Sequence, residues 1–197
     1  MTKLIWVFFW LLTACGSNAP TQFYMLNAET EPATPASLLT FDKSLLVGLG
    51  PIHLPDYLNR PQIVIEVSEN QYRLDEQHRW AERLDQNIDR TLAKFLADRL
   101  AITQVIRYPW AQRQTIDYQV SIDILEFHQT AGGVSRLAAQ WQIKYREQSP
   151  LSKRFDCSIT SRAEPEAIVK AQSECLGRLG GEIELGLRQL ANAGQAG

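Results

Sequence analysis

The chain has 197 residues, 45% hydrophobic and 21% charged, with 20 Lys and Arg against 22 Asp and Glu for a formal charge of −2. That composition is enough for one globular domain with an unstapled core, and it excludes a disordered chain, a polytopic membrane protein and the basic footprint of a nucleic-acid binder. No apolar run reaches the ~18 residues of a membrane-spanning helix.

The N-terminus opens with Lys3, an apolar run from Leu4 to Leu12, and then Thr13-Ala14-Cys15. A positive charge, a short apolar core and small residues before a cut site make a secretory signal over residues 1–14. Leu12-Thr13-Ala14-Cys15 also resembles a bacterial lipobox, which marks Cys15 for acylation. Each buried methylene contributes about 0.8 kcal/mol, and two or three acyl chains hold a protein stably on a bilayer. Gly16-Ser17 follows the cysteine where an Asp commonly signals inner-membrane retention, so the expected address is the periplasmic side of the outer membrane. Residues 15–21 read as a lipidated tether and 22–197 as the periplasmic body.

Within the body, Gln22 to Leu26 is a strand candidate and Asn27 to Thr40 a proline-broken loop. Ser44 to Leu54 reads as a buried strand ending at Pro55. Pro55 to Pro61 cannot be a regular strand, because each proline removes a ladder donor, and it reads as a turn. Gln62 to Ser68 and Gln71 to Asp75 form two strands about a Glu69-Asn70 turn. Leu84, Ile88, Leu92, Phe95, Leu96 and Leu100 recur at the spacing of an amphipathic helix. Gln104 to Arg107 is a short strand stopped by Pro109. Trp80 is expected to pack beneath the helix start.

The strongest sheet signal follows. Tyr118, Val120, Ile122 and Ile124 alternate with Gln119, Ser121 and Asp123, and a Thr130-Ala131-Gly132-Gly133 turn leads to Leu137, Ala139, Trp141, Ile143 and Tyr145 in the same rhythm. Phe155, Cys157 and Ile159 repeat it after Ser149-Pro150. This is an antiparallel meander with one wet face. Pro165 suits the first turn of a closing helix, whose stripe is Ile168, Cys175, Leu176, Leu179, Ile183, Leu187 and Leu190. Gly177, Gly180, Gly181 and Gly186 either weaken that helix or let its backbone approach the sheet. The expected fold class is α/β: a single domain with a mixed, largely antiparallel sheet and amphipathic helices packed on it.

Chemical motifs are sparse. His53, His78 and His128 show no metal-ligand spacing and read as surface or loop histidines. Gly48-Leu49-Gly50-Pro51 lacks the full dinucleotide fingerprint and a phosphate-loop lysine, and no hydrolase elbow is present. Neither a catalytic residue, a metal nor a cofactor is expected. Cys157 and Cys175 fall on apolar faces of a strand and a helix, and two readings stand: a disulfide, permitted by an oxidising compartment, or two buried thiols. Tyr57 and Leu58 sit between two prolines with Asp56 and Arg60 beside them. Such a turn either presents its aromatic outward as a contact or folds it inward as a plug. Pro55, Asp56, Tyr57, Leu58 and Arg60 are the candidate partner-binding residues.

Leu54-Pro55-Asp56-Tyr57-Leu58-Asn59-Arg60-Pro61-Gln62-Ile63-Val64 is similar to a segment of PqiC-type (YmbA-type) periplasmic lipoproteins. Arg79-Trp80-Ala81-Glu82 followed by Leu84 resembles their next signature. Asp117-Tyr118 through Phe127, Gly133 and Leu137 to Trp141 resembles their sheet signature, and Tyr24-x-Leu26 after a lipobox also fits. Asn59 stands where the family usually has an acid, and Arg83 where a proline is common.

The resemblance implies a non-catalytic auxiliary lipoprotein of an ABC-type or mammalian-cell-entry (MCE) lipid transport system that maintains envelope integrity. Its implied partner is an inner-membrane MCE-domain protein forming a periplasmic tunnel, met by a docking collar that could be a homo-oligomer. No nucleic acid is implied. A periplasmic solute-binding lipoprotein and a cell-wall-associated structural or enzymatic lipoprotein are the rival readings.

Overall fold

The computed structural model describes residues 20–28, 41–42, 44–111, 115–146 and 150–195. The expected signal peptide, Cys15 and most of the 27–40 loop lie outside the described residues. Eight strands form one mixed sheet: β1 Gln22–Tyr24, β2 Val47–His53, β3 Gln62–Ser68, β4 Gln71–Trp80, β5 Ile106–Arg107, β6 Tyr118–Thr130, β7 Val134–Tyr145 and β8 Leu151–Thr160. Two helices, α1 Leu84–Leu100 and α2 Pro165–Gln195, pack on it and on each other. The expected class, a single α/β domain with a mixed sheet and packed helices, is the observed one.

The meander is the backbone of the sheet. β6 runs antiparallel to β7 from Tyr118↔Tyr145 to Gln129↔Ser135, and β7 runs antiparallel to β8 from Val134↔Thr160 to Ile143↔Leu151. Gly133, at φ +75, supplies the left-handed residue that the β6–β7 hairpin turn requires. All three strands outrun the lengths read from alternation alone. The reason in β6 is a register irregularity between Ile124 and Glu126, which shifts the phase of burial. Ile122 and Ile124 are buried before it and Phe127 after it. The first strand is shorter than its apolar run, ending at Tyr24 rather than Leu26.

α1 spans the expected apolar spacing, with Leu84, Ile88, Leu92, Phe95, Leu96 and Leu100 all buried. It starts without a side-chain cap; Arg83 instead pairs with Asp85 at 2.7 Å. Ala101 closes it in the left-handed region at φ 53. α2 carries glycines because its partners leave no room. A Cβ on Gly180 would lie 2.6 Å from the Phe95 ring, and one on Gly186 would lie 2.9 Å from Ile143. Close approach is therefore the role of these two glycines, at some cost in helix propensity. A triad around the buried Glu184 ties the helices together: Arg99 Nε donates to Glu184 at 2.8 Å, and Arg188 Nε donates to the same carboxylate at 2.9 Å.

The other side of β6 is unusual. β2 and β3 both pair with it in parallel, β2 from Val47↔Tyr118 to His53↔Asp123 and β3 at Ile65↔Gln129 and Glu66↔Thr130. The chain takes twelve residues from His53 to Ile65 while β6 takes only six from Asp123 to Gln129. β2 and β3 are thus one interrupted strand, and residues 54–61 are an excursion from it. β4 and β1 extend the sheet beyond β3, and β5 borders β2.

Candidate functional site

The excursion is rigid for local reasons. Pro55 and Pro61 remove the ladder donors at its two ends. Between them Leu58 N donates to Pro55 O at 2.9 Å, Asn59 N to Asp56 O at 3.2 Å and Arg60 N to Leu58 O at 2.8 Å. Trp80 N, on β4, clamps the exit by donating to Pro61 O at 2.7 Å. Leu58 is 1% exposed and joins the core, so it is a plug rather than an outward anchor. The outward reading of Leu58 is corrected on that ground: a leucine in the gap between β2 and β3 gains more from covering the core than from facing water.

Tyr57 is half-buried and lies over the C-terminal half of β6. Its hydroxyl donates to Leu125 O at 3.3 Å, beside the bulge where the ladder is interrupted. Burial, followed by the neighbouring Tyr72, pushes its phenol well above the usual tyrosine range. Its ring stands 4.9 Å from Tyr72 and 6.4 Å from His128, and Tyr72 meets His128 edge-on at 5.5 Å. His128 Nε2 lies 3.1 Å from Glu66 Oε2, a carboxylate that accepts, which assigns the proton to Nε2.

His128 is 2% exposed, so the reading of a surface histidine is also corrected. The wet face of the meander is closed at this end by Tyr57 and Tyr72. Sequence reasoning missed Glu66, Tyr72 and His128 as the platform beneath the turn. Their only local signal is the run Phe127-His128-Gln129, in which all three residues are buried and alternation stops.

The predicted binding residues therefore divide. Leu58 and Tyr57 hold the turn down, Pro55 shapes it, and Asp56 and Arg60 project; with Asn59, which was not among the predicted residues, they form an exposed polar tip. Nothing in the tip is a catalytic constellation: it offers one carboxylate, one guanidinium and one amide. Among the described residues no group of three His, Cys, Asp or Glu side chains could hold a metal ion. Nor is any described helix long and apolar enough to cross a membrane.

The sequence pattern that shapes this turn extends through most of the fold. Residues 24–184 match the family model described as the ABC-type transport auxiliary lipoprotein component. The chain belongs to that family. The resemblance read from residues 54–64, 79–84 and 117–141 is thereby borne out. Among solved structures, the auxiliary lipoprotein is similar to protein XCC0632 from Xanthomonas campestris, of family DUF330, at 13% identity and TM-score 0.70, covering 89% of this chain and 99% of that one. It is similar at 19% identity and TM-score 0.69 to an uncharacterized protein, covering 86% of this chain and 99% of the other. At these identities the likeness is one of fold. No curated protein matches the sequence.

Elsewhere on the auxiliary lipoprotein, a groove of about 860 Å³ runs between the helices, with Met25, Phe95 and Val169 along it and Lys170 and Arg178 at its sides. A second groove, of about 820 Å³, is polar and holds Asp89 on α1, 3.3 Å from Arg107 of β5. Burial raises the Asp89 carboxyl to about 6, and the guanidinium only partly offsets it. The structure joins Cys157 of β8 to Cys175 of α2, with Cα atoms 5.7 Å apart.

Proposed function

We propose that this protein is a non-catalytic docking component of an MCE-type lipid transport system that maintains envelope integrity. The body is held on the periplasmic side of the outer membrane by acyl chains on Cys15. Six residues lie between Cys15 and Gln22, so over seven backbone steps the anchor lies at most about 25 Å from the first strand. The tip of the excursion, Asp56, Asn59 and Arg60, meets the inner-membrane MCE-domain protein, while Pro55, Tyr57 and Leu58 fix its shape. The partner is engaged by a homo-oligomeric collar, and Cys157 and Cys175 are oxidised in the mature protein.

The observation that carries this reading is a polar tip held on a half-buried tyrosine and a fully buried leucine. Such a turn loses little conformational freedom on binding, so its contacts convert efficiently into affinity. Family membership supplies the transport system as the setting. The test is capture from gently solubilised envelopes with a C-terminal tag and mass spectrometry of the eluate. Recovery of an MCE-domain membrane protein supports the reading, and recovery of the lipoprotein alone from envelopes whose other complexes survive overturns it.

A second reading, solute binding, rests on the groove between α1 and α2, which Met25, Phe95 and Val169 line together with Glu166, Lys170 and the Glu174–Arg178 ion pair. Retention of a stoichiometric amphiphile through purification would favour it.

A further inference from the structure

β1 is the end strand of the sheet path, and it departs from the pattern of a strand with one face on the core and a polar row outside. Residues 22–26 alternate, with Leu26 buried and Tyr24 half-buried on the inward row. The outward row carries Phe23, 65% exposed, and Met25, 42% exposed. Single exposed apolar side chains are ordinary on a folded surface, but here both outward positions are apolar. The segment is also pinned. Ala81 N, just after β4, donates to Tyr24 O at 2.9 Å. Leu26 N donates to Asn87 Oδ1 of α1 at 2.9 Å, and Asn27 N to Ser173 Oγ of α2 at 3.2 Å.

Position along the chain says what covers this row. Phe23 lies eight backbone steps from Cys15, so it sits at most about 28 Å from that residue. A tether that short keeps the row at high effective concentration over a bilayer that holds the acyl chains. Charge narrows the occupant further. Arg79 is the register partner of Phe23, and Arg90 lies 3.9 Å from the Met25 sulfur. Each guanidinium is already joined to a carboxylate at 2.7 Å, Arg79 to Glu76 and Arg90 to Glu82. These two arginines therefore bring no surplus charge to attract anionic lipid or an acidic protein surface.

We propose that Phe23 and Met25 seat in the headgroup region of the bilayer and fix the orientation of the body on it, as a second contact beside the acyl chains. The inference rests on the acylation of Cys15 proposed above. The aromatic ring and the thioether leave water there, while the paired arginines stay at the level of the headgroups. Phe23, Arg79 and Gln62 are neighbours across β1, β4 and β3. Two strand spacings, about 10 Å, thus separate the seated row from the exit of the excursion. The docking tip is then held beside the bilayer, where a tunnel end exchanges lipid with it.

Indole quenching by brominated lipid tests it, on the full acylated chain in phosphatidylcholine vesicles with and without bromine on the upper acyl chains. Phe23→Trp adds an indole to the row, Leu185→Trp adds one at a 62% exposed position of α2, and the natural protein supplies the baseline. The emission added at position 23 is expected to fall at least about twofold on brominated lipid, and that added at position 185 to stay unchanged. Combining Phe23→Trp with Met25→Asp puts a carboxylate in the row and is expected to remove most of the quenching. Raising the salt about tenfold is expected to leave it intact, because the contact is apolar. Circular dichroism checks that each variant is folded, and vesicle flotation checks that it is anchored. A chain that floats but is quenched no more at position 23 than at 185 overturns the proposal and leaves the anchor standing. A chain that does not float removes both. Quenching that survives Met25→Asp, or that salt abolishes, overturns the apolar seating. A blue shift without quenching that grows with protein concentration puts a second copy on the row and overturns it as well.

Discussion

The two halves of β6 follow different rules within one strand. In the N-terminal half Val120, Ile122 and Ile124 face the core, while Ser121 and Asp123 face a shallow polar depression of about 380 Å³ shared with Gln140, Gln142 and Arg154. In the C-terminal half Phe127, His128 and Gln129 are all buried, because Tyr57 and Tyr72 cover the face that was wet. The difference arises from the gap between β2 and β3. Where β2 pairs with β6 no cover is needed, and where the chain leaves the ladder its own excursion becomes the cover. The segment most open to recognition is thus also part of the core.

Removing the plug breaks the comparison most severely. Leu58→Ala is expected to cost about 3 kcal/mol, in the 2–5 kcal/mol range of buried leucine truncations, and denaturant melts would show it as a fall in midpoint. If the covered half were merely decorated by the turn, the midpoint would hardly move.

Replacing Cys157 and Cys175 together with serine is expected to remove up to about 3 kcal/mol, from a crosslink closing a sequence separation of 18. Melts with and without reductant would check it, since the natural protein should fall to the level of the variant when reduced.

Asp89 sharpens the contrast from the helix side, as a half-buried group whose partner only partly compensates it. Its folded-state carboxyl is raised to about 6 from 3.8, so the native form binds the proton more tightly than the unfolded chain. Stability from this group is therefore complete below about pH 4 and lost as the pH rises through about 6. Asp89→Asn is expected to raise Tm at pH 7 and to lose that advantage at pH 4. A gain equal at both values would contradict the assignment.

The smallest effects separate the two halves of β6 directly. Tyr57→Phe removes one long hydrogen bond to Leu125 O and is expected to cost about 0.5–1 kcal/mol. Ser121→Ala on the uncovered half is expected to stay within about 0.5 kcal/mol. Equal costs in a paired set of denaturant melts would erase the distinction.

Much of the fold was legible in local periodicity. The spacing of Leu84 to Leu100 bounds α1, Pro165 opens α2, and alternation finds the three meander strands and their antiparallel order. The fork was not legible, because nothing in residues 44–68 records that two strands share one edge of β6; pairing is a long-range choice. The bulge near Ile124 was also hidden, and with it the burial of His128. At the site, the two prolines announced a constrained turn and named its residues, yet they left open which way Tyr57 and Leu58 faced. That direction depends on the gap in the sheet, which local sequence does not encode.

The most direct test of the docking claim is tagged capture from envelopes with the natural protein beside the double variant Asp56→Ala, Arg60→Ala. Both side chains are exposed, so the variant is expected to melt within about 0.5 kcal/mol of the natural protein. The expected result is an MCE-domain membrane protein in the natural eluate and its loss, by at least about tenfold, from the variant eluate. Equal recovery from both would contradict the claim that the tip of the excursion is where the transporter is met.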